Sequence, residues 1–110
     1  MIVNTGKEAL AATIASTYTK VKVGNGGDDT AASQSALDSF VAEKTVTPSV
    51  IGSQLVWTAA FTGADLGTQG VSELGIFDSS NTLLSRVTFT NTGVVASADT
   101  VTFTIRVEVD

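Results

Sequence analysis

From Val101 to Val109 every second residue is apolar. Val101, Phe103, Ile105, Val107 and Val109 alternate with Thr102, Thr104, Arg106 and Glu108. A period of two fits a strand with one buried face, because successive β side chains point to opposite sides of the sheet. The same pattern sets Leu55, Trp57, Ala59 and Phe61 against Val56, Thr58, Ala60 and Thr62. The alternation predicts a central strand over 101–109, with Phe103 in the core, and places Trp57 in the core beside Leu55, Ala59 and Phe61.

Further strands follow from similar signals. Tyr18 to Val23 alternates, with Thr19, Val21 and Val23 on one face and Lys20 and Lys22 on the other. Val41 to Thr47 reads as a short edge strand that stops at Pro48, which cannot donate to a ladder. Two apolar-rich runs, 71–77 and 83–89, flank the turn formers Asp78-Ser79-Ser80-Asn81 and predict a β-hairpin. If Leu74 and Ile76 face the core with Leu83, Val87 and Phe89, paired positions sum to an odd number. Glu73 and Arg86 then share the opposite face and pair across strands. The simplest version is an exposed ion pair; the functional version puts both at a subunit interface.

Thr5-Gly6-Lys7-Glu8 has the form of a capping box, and Leu10 and Ile14 lie one turn apart. A helix over residues 6–16 follows, docked through its Leu10/Ile14 stripe because so short a helix is unstable alone. The remainder of the N-terminal half, 24–39, starts with Gly24-Asn25-Gly26-Gly27-Asp28-Asp29 and continues small and polar. This excursion offers Leu37 and Phe40 as anchors. Ordering it costs about 1–2 kcal/mol per residue in backbone entropy, so it is expected to be mobile in the free protein and ordered against a neighbouring subunit. Short strands with regular turn signals give a mainly β fold: an antiparallel β-sandwich of six or seven strands with a short N-terminal helix, one domain over 1–110.

Composition narrows function by exclusion. A 15% charged and 43% hydrophobic chain suits a packed fold rather than a disordered one. Net charge is −5 and the six basic residues are scattered, so no patch is suited to phosphates or an anionic membrane surface. No apolar run is long enough to span a bilayer, and the N-terminus lacks the form of a secretion signal. The chain contains neither histidine nor cysteine, which removes the usual general base, the Ser-His-Asp triad and ordinary zinc sites. The carboxylates sit mostly in turns, where solvation does not raise a pKa usefully. The expectation is a non-enzyme with no cofactor and no metal. The 24–29 loop lacks the lysine of a phosphate-binding loop, and its Asn25, Asp28 and Asp29 do not match the calcium-loop spacing. Its glycines read as permitting a flexible turn.

Four short motifs occur in a characteristic order: Asn4-Thr5-Gly6-Lys7 with Leu10, Val23-Gly24-Asn25-Gly26, Leu55-Val56-Trp57-Thr58-Ala59-Ala60-Phe61, and Glu73-Leu74-Gly75-Ile76-Phe77 leading to Leu83-Leu84-Ser85-Arg86-Val87-Thr88-Phe89. This order resembles a module of tailed-bacteriophage virion proteins, notably the baseplate-proximal end of tail fibres. The resemblance implies a virion structural protein that self-associates, as a trimer by preference, and docks on a larger protein of the tail. It departs from that pattern in having no shaft after the last strand, which raises a head decoration protein on the capsid as the alternative. A carbohydrate-binding module is a third class and would require exposed aromatics. No nucleic-acid or membrane partner is expected. The candidate interface residues are Asn25, Asp28, Asp29, Leu37, Glu73 and Arg86.

Overall fold

The computed structural model describes residues 1–27 and 32–110. Among the described residues, helix α1 (Asn4–Thr17) precedes seven strands: β1 (Lys20–Gly24), β2 (Phe40–Thr45), β3 (Ser49–Ile51), β4 (Gln54–Thr62), β5 (Glu73–Phe77), β6 (Leu83–Thr88) and β7 (Thr100–Glu108). They form a four-stranded sheet in the order β2-β1-β5-β6 and a three-stranded sheet in the order β3-β4-β7. All pairings are antiparallel. The mainly β, sandwich-like fold expected from the alternation is the fold observed.

Between the sheets, Val21, Val23, Leu74 and Ile76 from one side meet Leu55, Trp57, Ala59, Phe61 and Ile105 from the other, all buried. Leu66 and Val71, from the connection between β4 and β5, complete this core. Trp57 fills it as expected, and its indole Nε1–H donates to the Tyr18 carbonyl at 2.8 Å. That bond removes the penalty of burying an indole N–H. The hairpin turn is built as its residues suggest: Asp78 Oδ1 accepts from the amides of Ser80 and Thr82, and Asn81 takes a positive φ of 63°.

Several expectations are corrected. Helix α1 starts before the proposed capping box: Val3 occupies the N-cap position without a side-chain cap, so Thr5 and Glu8 lie inside the helix. Its docking face is Ala11, which is fully buried, with Ile14, Ala15 and Tyr18 packed against the core, while Leu10 stays 45% exposed. Small alanines let the helix approach β3 and β4 closely, which a leucine stripe would prevent. The last strand is an edge, not a central strand. Among the described residues β7 pairs along its whole length with β4 alone, and of its apolar residues Ile105 is buried while Val101, Phe103 and Val107 are half-buried. Phe103 still packs edge-on against Phe61 (centroids 6.1 Å apart) and against Phe89 at 5.4 Å. In β6, Val87 lies opposite Leu74 as expected but is exposed because β6 is itself an edge strand. A register shift between Ile76 and Phe77 sets Leu83 opposite Phe77, on the face away from the core.

Candidate functional site

β5 is buried at all five positions, including the acidic one. Glu73 begins this strand on the outer face of the four-stranded sheet, and the odd-sum register holds: Glu73 pairs with Thr88 and Gly75 with Arg86. Glu73 and Arg86 are therefore diagonal neighbours, and the Arg86 Nε–H donates to Glu73 Oε1 at 2.9 Å. The exposed ion pair of the simpler expectation is corrected, since Glu73 is 0% exposed and the Arg86 side chain 3%. What covers them, among the described residues, is 25–27 and 34–39 of the excursion between β1 and β2.

Glu73 is the acceptor on which both ends of that excursion converge. Its Oε2 accepts from the Gly26 amide at 2.8 Å and the Ser39 amide at 2.8 Å; its Oε1 accepts from the Asp38 amide at 2.9 Å. Arg86 completes the clasp from the other side. Its Nη2 donates to the Gly27 carbonyl at 3.0 Å and to Asp38 Oδ2 at 3.2 Å, and its Nη1 to Gln34 Oε1 at 3.2 Å. Ser72 adds a hydroxyl bond to the Gly26 carbonyl at 2.8 Å. Among the described residues no buried side-chain nitrogen or oxygen lacks a partner, the condition under which a buried charge pair is tolerable.

The glycines of the loop now have a reason beyond turn flexibility. A Cβ on Gly26 would land on Glu73 Oε2, and one on Gly24 would land on the Ser39 carbonyl oxygen and crowd Glu73 Oε2. The backbone has to lie directly on the carboxylate, and only glycine leaves room. At Gly75 the neighbours are side chains instead: a Cβ there would meet the Phe77 ring at 2.7 Å and Leu37 at 3.0 Å, so those side chains would have to shift.

Burial pushes the Glu73 pKa up, but the amides of Ser39 and Asp38, the Arg86 guanidinium and the Gly26 amide together outweigh it. The carboxyl is held below its ordinary value. A carboxylate in that state accepts hydrogen bonds and has no proton to give. The arrangement is chemically a fastener.

The sequence-derived candidates divide accordingly. Glu73, Arg86 and Leu37 are brought together at the clasp and its margin. Asn25 is exposed beside it, its amide bonded to the Ser39 carbonyl at 2.9 Å and its side chain to Gln69 at 2.8 Å. Asp28 and Asp29 lie outside the described residues. The expected anchors of the excursion are corrected: Leu37 is half-buried, whereas Phe40 is 54% exposed, so the polar clasp does the holding. Gln34, Asp38 and Ser39 were not anticipated. The signal available was the spacing V-G-x-G, a polar run, then E-x-G, which needs the fold to be read. Lys22 was also missed: its ammonium lies over Phe77 (4.6 Å) and Phe40 (5.4 Å) and donates to Asn81 at 2.9 Å. Among the described residues no cluster of carboxylates could hold a metal ion.

No protein-family model matches the chain, and neither does any curated protein.

Proposed function

We propose that this chain is a non-enzymatic structural protein of a tailed-phage virion that self-associates and docks at the tail fibre or baseplate region. The observation that carries the reading is the interlocking of two of the motifs on which the resemblance rests. Val23-Gly24-Asn25-Gly26 and Glu73-Leu74-Gly75-Ile76-Phe77 are far apart in the chain, yet Gly26 is bonded to Glu73 and Gly24 pairs with it across strands. The glycines of the first motif leave the room that the Glu73 carboxylate of the second occupies. Two of the four resembling motifs thus meet in one folded device, and this supports the reading.

Spending the buried ionisable chemistry on holding a loop suits an assembly protein, whose task is shape. The carbohydrate-binding alternative is less well supported, because Trp57 is fully buried and Tyr18 half-buried, which leaves Phe40 as the exposed aromatic among the described residues. Immunogold labelling of particles assembled from the genome that carries this gene tests the proposal. Label at the tail tip is the expected result, label over the head selects the decoration alternative, and unlabelled particles overturn the virion reading.

A further inference from the structure

We infer that the chain self-associates through β7, which pairs antiparallel with β7 of a second copy about a two-fold axis, in the register that sets Arg106 opposite Glu108. The inference rests on the self-association proposed above and specifies its surface.

The hydrogen-bonding direction of β7 can be read from its ends. Val109 donates to the Ser53 carbonyl at 3.0 Å, and Gly63 donates to the Asp99 carbonyl at 2.9 Å. Odd-numbered positions therefore turn their backbone groups toward β4. Thr100, Thr102, Thr104, Arg106 and Glu108 direct theirs outward, where among the described residues no backbone partner meets them. Open edges are normally blunted by short length, proline, lysine or a bulge. The other edges follow this rule. β3 is three residues long and follows Pro48, β2 carries Lys44 and a register shift with β1, and β6 shifts register against β5. β7 runs nine residues in unbroken register and contains no glycine, proline or lysine.

The charges of the strand name the occupant. A two-fold axis perpendicular to the sheet pairs positions whose numbers sum to an even value and keeps the apolar faces of both copies on one side. A sum of 212 would oppose Arg106 to itself, and 216 would oppose Glu108 to itself. A sum of 214 pairs Arg106 with Glu108 twice, Ile105 with Val109 twice, Thr104 with Asp110 twice, and Val107 with its own copy, so the contact spans residues 104–110 and leaves Thr100 and Thr102 open. Both charged residues are exposed, and among the described residues neither makes an ion pair within the chain. The other strand-borne cations are engaged: Lys20 with Glu43, Lys44 with Asp65, Lys22 with Asn81, and Arg86 in the clasp. The strand is complementary to itself, and pairing sets the half-buried Val107 and Val109 beside apolar residues of the second copy. This is a two-fold contact in place of the trimer implied by the resemblance.

Because the chain has no cysteine, single thiols report the register. In this register Val107 faces its own copy at a non-hydrogen-bonded pair, about 4.5 Å between Cα atoms, within disulfide reach. Val107→Cys should form a covalent dimer under mild oxidation, and Val101→Cys, at the far end of the strand, should not. By sedimentation, Arg106→Glu and Glu108→Arg should each weaken association about tenfold, and the double swap should restore it. Circular dichroism confirms that each variant folds. Association that survives both reversals without cross-linking at Val107→Cys overturns the β7 surface and leaves self-association standing. A wild-type monomer at every concentration overturns both.

Discussion

Glu73→Ala is the perturbation that the structure makes most informative. It removes the acceptor for three backbone amides, at Gly26, Asp38 and Ser39, and the carboxylate partner of a guanidinium that is 3% exposed. Summing these losses would overstate the cost, because a loop released from the sheet gives its amides back to water. What cannot be returned so easily is the Arg86 charge. Breaking a buried pair by deleting one partner costs about 3–5 kcal/mol. Arg86 keeps Asp38, Gln34 and the Gly27 carbonyl as partial compensation, which places the expectation near the lower bound, about 3 kcal/mol. Urea unfolding should show the midpoint falling with an unchanged slope. Glu73→Ala/Arg86→Ala should cost clearly less than the sum of the singles, since the second mutation removes the stranded charge. A single-mutant loss under about 1 kcal/mol would refute the clasp and mean that the loop is held by other contacts.

The remaining predictions follow from the same geometry. Since the folded pKa of Glu73 is depressed, its contribution is fully present above the unfolded value near 4.5 and is lost as pH falls through the lower folded value. Urea midpoints should decline below about pH 4.5, and Glu73→Gln should flatten that decline; an identical acid profile would contradict it. Gly26→Ala should displace the loop and destabilise by about 1–3 kcal/mol through strain alone, seen as lost amide protection at Asp38 and Ser39; unchanged exchange there would contradict the close approach. Trp57→Ala should cost about 3–5 kcal/mol by thermal or urea unfolding. Phe103→Ala, at a half-buried edge position, should cost about 2 kcal/mol, and equal losses would restore β7 to the interior.

The strands were legible because period-two alternation reports which face is buried. It does not report which strand is the neighbour on either side. Val101 to Val109 shows the cleanest pattern in the chain, yet the strand lies at an edge, since one buried face looks the same in an edge strand and a central one. The hairpin parity that linked Glu73 with Arg86 came from counting alone. Their burial could not, because the cover comes from residues 25–27 and 34–39, a polar segment with no periodicity. A polar segment seldom announces burial, and here it folds over a charge rather than an apolar residue. The helix start was misplaced for a local reason: Thr5 and Glu8 have capping-box spacing, but the first intrahelical bond runs from the Lys7 amide to the Val3 carbonyl.

Self-association is the claim on which the functional account turns, and sedimentation velocity of the wild-type protein over a wide concentration range tests it most directly. A reversible shift from monomer to a heavier species is expected as concentration rises, weakened by added salt because charge pairs contribute. A single species at the monomer mass at every concentration and ionic strength would contradict it.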